Sequence, residues 1–516
     1  MRLDIKSLNL GSDSAERDID VGLAEYFYQN ATYNRFLNGR KTILVGNRGA
    51  GKSAIFKYIA TTERRKGNLV LELSPEEYSY ELLSEYLRSE KEGSWGKQSA
   101  YSIAWQYLLY NLIFKRIAEN KRGLLLGAQK NIYNYVRSSG MISENSSIGI
   151  LVNYLKRIER VKLESHEGTL RSRELQALYD LEEIKVLLPS LKNVLANTRI
   201  TVLIDELDKG WDNSEDAKYF IAGLFQATQK INLLNPNLRI YVSIRQELFD
   251  NIPQIYEDAQ KIREDVEVIR WGANELLELI ARRIGHSFPE TQKLTALKRW
   301  KAVFVSKLPS SELDSLEYII DRTQLRPREL LQFCKLCVEC IDYSLASKRI
   351  DECAIAAAEE SYSEQKTRDL ASEYRFQYPH LLDVFEVFRG KRPYFSKEDL
   401  DYLLLSVVCG EIDAERAAGW ILDMDYLELK QILWKIGFLK VLNPREAEGV
   451  SRRSSSHSRS SHNSSSHNSS HNRTLNSSLM VKGAYLGHYE LPTVNLENIA
   501  KFRIHPACTK FLHLQD

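Results

Sequence analysis

Long apolar runs are missing from this 516-residue chain. No segment approaches the roughly eighteen apolar residues of a membrane-spanning helix, so no contact with a bilayer interior is expected. Residues 1–20 are charged and hold no apolar stretch of the kind that marks a secretory leader, and a cytoplasmic protein is expected. Cysteine is scarce. Six in so long a chain do not make a disulfide framework, which fits a reducing compartment. A surplus of charge of one sign is lacking too: 71 Lys and Arg stand against 69 Asp and Glu. That balance falls short of a dedicated nucleic-acid binder and names no polyanionic partner. The length calls for two or three domains with room for sizeable cores.

What the chain does contain is sharply local. Residues 43–60 read ILVGNRGAGKSAIFKYIA. Within them Gly46, Asn47, Arg48, Gly49, Ala50, Gly51, Lys52 and Ser53 form G-x-x-x-x-G-K-S between an apolar strand and an amphipathic helix. This is the pattern of a phosphate cradle. Three glycines let the loop close around an anion, backbone N–H groups and the helix start supply partial positive charge, and Lys52 adds a full one. Ser53 is placed to give its hydroxyl to Mg²⁺. A plain glycine-rich turn would need eight fixed positions and both flanks to coincide by chance.

The surrounding pattern predicts an α/β fold. Two short helical patterns within residues 11–39 lead towards the strand at 41–45. Apolar strands follow at 68–73, 199–205, 239–244 and 266–271, separated by helix-length segments, the alternation of a parallel sheet wound with helices. Ser74, Pro75 and Glu77 carry a helix-start signal. Periodic segments at 100–119, 148–163 and 173–195 predict a helical insertion at about 75–198. Residues 273–368 are helical throughout and read as a lid. Three short helices at 396–409, 414–422 and 425–436, with strands at 438–442 and 501–504, suggest a winged helix in 369–516. The domains expected are thus 1–272, 273–368 and 369–516.

The strand ending Ile204-Asp205-Glu206 is a second nucleotide signature. Asp205 at the tip can hold Mg²⁺ through water and meet Ser53, while Glu206 can accept a proton from the water that attacks a γ-phosphate. An acidic pair alone equally describes a solvated turn; its order after the phosphate loop makes it a site. Asp208, Lys209 and Asp212 extend the cluster without an assigned role. Simple kinases need no base for water, the Asn-Lys-x-Asp motif of GTPases is absent, and so is the Leu-Ser-Gly-Gly-Gln signature of transporter ATPases. Mg²⁺-dependent hydrolysis of ATP is the expected reaction, and a small-molecule phosphotransferase is an alternative that Glu206 opposes.

The order of phosphate loop, Leu-Ile-Asp-Glu strand, Tyr241-Val242-Ser243-Ile244-Arg245 strand, helical lid and winged helix resembles the AAA+ and STAND-type P-loop ATPases, including their origin-recognition-like branch. Gly-Ser-Asp-Ser-Ala-Glu near the start, Asp-Glu-Leu-Asp-Lys-Gly-Trp after the strand and Leu-Arg-Pro-Arg-Glu-Leu-Leu in the lid resemble a group of bacterial phosphate-loop ATPases, some associated with defence against phage. The resemblance implies an ATP-dependent switch that self-associates or engages an effector protein, or alternatively a DNA-binding ATPase. It implies that Ser243 orients the attacking water, with a plain strand-end hydroxyl as the alternative, and that Arg245 lies near the γ-phosphate. Arg263 falls where a neighbouring subunit's arginine finger would be, with an exposed surface arginine as the plain alternative. Of Arg326 and Arg328, flanking Pro327, Arg328 is the favoured second sensor of nucleotide, with a helix-terminal surface charge as the alternative. His505 stands where some STAND proteins set a histidine against ADP, and a satisfied structural histidine is the alternative.

Three other features read as structure. Cys334, Cys337 and Cys340 have the spacing of an iron–sulfur run, but they fan over one face of a rigid helix with Leu330, Ile341 and Leu345, where they cannot wrap a cluster. Residues 425–436, the recognition helix of the expected winged helix, carry two acids, two lysines and no arginine, a poor ligand for a DNA groove and a better one for protein. Residues 451–478 hold a near-repeat of Ser-Ser-His-Asn with almost no apolar content; its histidines match no defined metal site, and a solvated loop is expected. Deleting 451–478 and closing the gap with a short turn is therefore expected to leave the melting temperature and ATP turnover unchanged, with or without Zn²⁺. A fall of several degrees, or a zinc-dependent activity that vanishes with the loop, would contradict this.

Overall fold

The computed structural model describes residues 3–20, 22–39, 41–73, 97–120, 127–139, 181–207, 214–250, 262–341, 349–411, 418–422, 424–443 and 485–515. These form two compact units, one of Ser14–Ala24 and Gln29–Arg270, the other of Met1–Asp13, Glu25–Tyr28 and Trp271–Asp516.

In the first unit, short runs of branched apolar residues give strands buried on both faces, as parallel strands between helices must be. They are β1 (Ile43–Gly46), β2 (Leu69–Leu73), β3 (Ile200–Ile204), β4 (Leu238–Arg245) and β5 (Val266–Val268). All neighbouring pairs are parallel and the order is β2-β3-β4-β1-β5. β4 therefore lies between the two strands that carry the nucleotide motifs. The helices are α1 (Ala15–Asp18), α2 (Ala31–Asn38), α3 (Lys52–Arg65), α4 (Lys97–Glu119), α5 (Ala128–Ser138), α6 (Glu182–Leu195), α7 (Glu215–Asn232) and α8 (Gln246–Asp250). Helices α4, α5 and α6 are the described part of the expected insertion. Trp105 of α4 packs its ring, tilted, against Phe220 of α7 with centroids 4.8 Å apart and donates its indole N–H to the Phe220 carbonyl at 3.0 Å, which anchors α4 to α7. The expected helix start at Ser74 and the helical segment 148–163 lie outside the described residues.

The N-terminal arm departs from the sequence reading. Rather than leading straight into the sheet, residues up to Asp13 and again 25–28 belong to the second unit. Leu3, Ile5, Leu8 and Leu10 are buried, and Asn9 and Leu10 are hydrogen-bonded to Ser287 and Arg283.

The second unit begins with α9 (Ala273–Ser287), α10 (Ala296–Val303), α11 (Ser315–Asp321), α12 (Pro327–Glu339) and α13 (Glu352–Glu373). Buried ions tie them together: Arg326 meets Glu373 at 2.8 Å, Glu329 pairs with Lys366, and Arg322 pairs with Glu359. Cys334 and Cys337 are buried on α12, where burial pushes both thiols up. The helix is shorter than its apolar stripe suggested, ending at Glu339 with Cys340 as its cap. After these come α14 (Leu381–Glu386), β6 (Tyr394–Ser396), α15 (Lys397–Val408), α16 (Ala418–Ile421), α17 (Tyr426–Lys435), β7 (Leu439–Leu442), β8 (Tyr485–Leu486) and β9 (Lys501–Ile504). The strands make an antiparallel sheet in the order β6-β9-β7-β8. The two outer strands were not expected from sequence. Residues 451–478, between β7 and β8, lie outside the described residues. Among the described residues no helix is long and apolar enough to cross a membrane.

Asp321, closing α11, joins the helices to this sheet by meeting Lys440 of β7 at 2.7 Å and Arg503 of β9 at 3.3 Å. Burial alone would raise its carboxyl, but the two cations hold it at about 2, below its ordinary 3.8. The folded form thus binds this proton less tightly than the unfolded chain. The resulting stabilisation, about 2 kcal/mol, is complete above about pH 4 and lost as pH falls through about 2. Asp321→Asn is expected to lower stability at pH 7 by about that amount and to flatten the stability profile between pH 4 and 2. Thermal melts of both proteins across that range check it; parallel profiles would count against it.

Candidate functional site

Parallel sheets place their ligand sites beyond the carboxyl ends of the strands. Both nucleotide motifs lie there. From Gly46, the last residue of β1, the chain turns through residues 47–51 into α3, whose first residue is Lys52. The turn needs its glycines: Gly49 and Gly51 hold φ of 77° and 97°, a left-handed backbone that costs other residues about 1–2 kcal/mol. At Gly46 a Cβ would lie 3.2 Å from that of Ile269 and 3.4 Å from that of Ala50. The Ala50 N–H donates to the Asn47 carbonyl at 3.2 Å and the Ile55 N–H to the Gly51 carbonyl at 3.0 Å, closing the loop and opening the helical ladder. No side chain caps α3. Its first-turn amides are thus of the kind that take an anion. Lys52 folds over the loop, donating from Nζ to the carbonyls of Gly46 at 2.8 Å and Asn47 at 3.1 Å. Arg48 is exposed, and Ser53 is partly exposed on the first turn of α3.

On the far side of β4, Asp205 follows the last residue of β3, and its N–H donates to the Leu73 carbonyl of β2 at 3.2 Å. Register sets its neighbour. Ile204 pairs with Val242, so the next residue, Asp205, comes level with Ser243 of β4. Buried Ser243 donates its hydroxyl to Asp205 Oδ1, and the Glu206 N–H donates to the same oxygen at 2.9 Å. Glu206 adopts φ 60°. For a residue with a Cβ that backbone is strained, and such strain gathers where chemistry is done. Ser53 and Asp205 offer a hydroxyl and a carboxylate, hard oxygen donors suited to Mg²⁺. The residues present therefore fit a nucleotide with its magnesium.

Arg245 ends β4 opposite Gly46 in register. Its guanidinium lies 3.6 Å from the largely buried carboxylate of Glu247. Glu247 went unnoticed in the sequence, where an acid two residues beyond Arg245 was the only signal. Arg263 is exposed just before β5. In the second unit Arg326 is buried between the carboxylates of Glu329 and Glu373, whereas partly exposed Arg328 donates from Nε to the Asp13 carbonyl at 3.3 Å. His505 is buried; burial lowers its pKa, and Nδ1 accepts from the Ala507 N–H at 3.2 Å, so it serves as a neutral cap. Asp208, Lys209 and Asp212 lie outside the described residues. Among the described residues no group of three or more His, Cys, Asp or Glu could hold a metal ion.

Comparison with known proteins adds three findings. The family described as FunZ-associated C-terminal helical domain matches residues 274–371, the stretch folded as α9 to α13. The chain is 23% identical over 402 residues to the "Putative transposon gamma-delta 80.3 kDa protein" of Escherichia coli (strain K12), covering 75% of this chain and 55% of that protein. It thus spans about half the length of the curated relative it matches. Among solved structures it is similar to the Aeropyrum pernix ORC2 protein (ADPNP-ADP complexes), with a TM-score of 0.33 and 10% identity over 84% of this chain and 88% of that one. At that score the likeness carries no argument.

Replacing Ser243 with Ala removes a buried donor to a carboxylate and is expected to destabilise the sheet unit by about 2 kcal/mol. Ser243→Thr keeps the hydroxyl and most of the stability. Calorimetric melts of the three proteins check this, and an Ala variant as stable as the native protein would show that the bond does not hold the strand tips.

Proposed function

We propose that the chain binds ATP with Mg²⁺ at residues 46–53 and hydrolyses it, working as a molecular switch of the AAA+ or STAND type. The observation that carries this reading is the convergence of the phosphate loop on β1 and the Asp205–Glu206 pair on β3 at the two sides of β4. Loop amides and Lys52 bind the phosphates, with Lys52 exchanging its two carbonyl acceptors for phosphate oxygens. Ser53 and Asp205 would hold Mg²⁺, which when bound neutralises charge on the phosphates. Ser243 keeps Asp205 in one orientation. Glu206 takes the proton of the attacking water. Arg245 stands beside the loop, and Arg263 is the residue we assign to completing the site of a neighbouring copy.

The second unit is the output end in this reading, as a lid and a winged helix that meet a protein partner. An origin-recognition-like, DNA-binding role is opposed by α17. Of its two lysines, Lys430 is buried and paired with Asp401 of α15. Asp425, Glu428, Gln431 and Lys435 are left exposed along the helix and its cap. Such a face offers too little positive charge for phosphate contacts. The alternative of a small-molecule phosphotransferase is opposed by Glu206, which this reading assigns to the attacking water. A role in antiviral defence rests on the Gly-Ser-Asp-Ser-Ala-Glu and Leu-Arg-Pro-Arg-Glu-Leu-Leu resemblance.

Mg·ATP at a hundred times its Kd is expected to stabilise the native protein by about 2.7 kcal/mol, and Lys52→Ala to lose that gain. Glu206→Gln is expected to keep the binding while turnover falls roughly 10²- to 10⁴-fold. Thermal melts and phosphate release check both. Unchanged melting of the native protein with millimolar ATP, or native turnover in Glu206→Gln, would contradict the reading.

A further inference from the structure

Two segments singled out in the sequence, Gly-Ser-Asp-Ser-Ala-Glu at 11–16 and Leu-Arg-Pro-Arg-Glu-Leu-Leu at 325–331, are linked in the second unit through Asp13. The arm before Asp13 is fastened to α9: Arg283 donates to the Leu10 carbonyl at 2.6 Å and to the Ser12 carbonyl at 3.4 Å, and the Asn9 N–H donates to the Ser287 hydroxyl at 2.9 Å. Asp13 then seats on α12. Gln332 donates from Nε2 to its Oδ2 at 3.0 Å, Lys335 Nζ lies 3.9 Å from its Oδ1, and Arg328 donates to its carbonyl at 3.3 Å. One residue later the chain has joined the other unit. There α1 packs against α3, the helix that opens with Lys52 and Ser53. Asp18 of α1 is buried.

We propose that residues 11–18 form a mechanical connector that carries occupancy of the phosphate loop to α12 of the helical domain. The proposal rests on the ATP-binding reading above. Its physical basis is the absence of slack. Asp13 and Ala15 are two residues apart, a span of at most about 7 Å. In this proposal a shift of α1 with α3 is passed along that short span to the contacts of Asp13 on α12. Those contacts suit the task. The Lys335 pair is long and its two side chains are 36% and 34% exposed, so it can break and re-form readily. A merely structural arm would fasten α12 equally in every nucleotide state; a connector makes α12 respond.

Hydrogen exchange of the Pro327–Glu339 amides, with and without Mg·ATP, separates the two cases. It is measured on the native chain, on Asp13→Ala, and on a variant with two glycines inserted between Asp13 and Ser14. The insertion keeps both sets of contacts and adds slack. Affinity for a fluorescent ATP analogue is measured on each protein separately. The native protein is expected to show a nucleotide-dependent change in α12 exchange, and both variants to lose it while binding the analogue as the native protein does. Should Asp13→Ala fail to fold, the glycine insertion decides. Exchange in α12 that ignores nucleotide in a native protein that binds the analogue would overturn the connector alone, as would a response that survives the insertion. A native protein that binds no analogue would overturn the ATP reading and the connector with it.

Discussion

The bond from the Ser243 hydroxyl to the Asp205 carboxylate fastens the tips of two neighbouring parallel strands, and the candidate site depends on it. β4 has β3 on one side and β1 on the other. Whatever fixes the end of β4 against Asp205 also fixes it beside Gly46, where the phosphate loop begins. A carboxylate at a strand tip would otherwise turn freely towards water. With the Glu206 amide as second donor, Oδ1 is committed and the orientation of the group is set before any ligand arrives. The left-handed backbone of Glu206 lies at the same turn, immediately after that N–H.

The second unit is organised by ions rather than by apolar contact alone. Arg326, Glu329, Lys366 and Glu373 are all buried, and Asp321 draws Lys440 and Arg503 to the end of α11. Breaking such pairs leaves an uncompensated buried charge, so they hold the helices to one another and α11 to the antiparallel sheet. They also account for Arg326: a guanidinium enclosed by two carboxylates is committed to the fold, in contrast to its neighbour Arg328.

Much of the sheet unit was legible because buried parallel strands are unbroken apolar bursts bounded by turns, as at Ile43 to Val45 and Ile200 to Ile204. The tight turn at residues 46–53 was legible because its glycines answer to backbone geometry. What escaped had no local signal. β6 and β8 are three and two residues long, too short to show a period. The arm's placement rests on contacts such as Asn9 with Ser287, 278 residues apart in the chain. Ser243 could be read as a polar strand end, but its partner lies 38 residues upstream and appears only once the strand order is known. The stripe of Cys334, Cys337 and Ile341 ran past the helix because apolar spacing carries no stop signal, whereas Cys340 already serves as the cap.

The central claim is that the loop at residues 46–53 is a phosphate site whose lysine is held on backbone carbonyls until a phosphate replaces them. A crystal structure with Mg²⁺ and a non-hydrolysable ATP analogue tests it most directly. The account predicts phosphate oxygens within hydrogen-bond distance of the loop amides, Lys52 Nζ moved from the Gly46 and Asn47 carbonyls onto the phosphates, and the metal between Ser53 and Asp205. A nucleotide bound elsewhere, or a loop that keeps Lys52 on its carbonyls at saturating analogue, would contradict it.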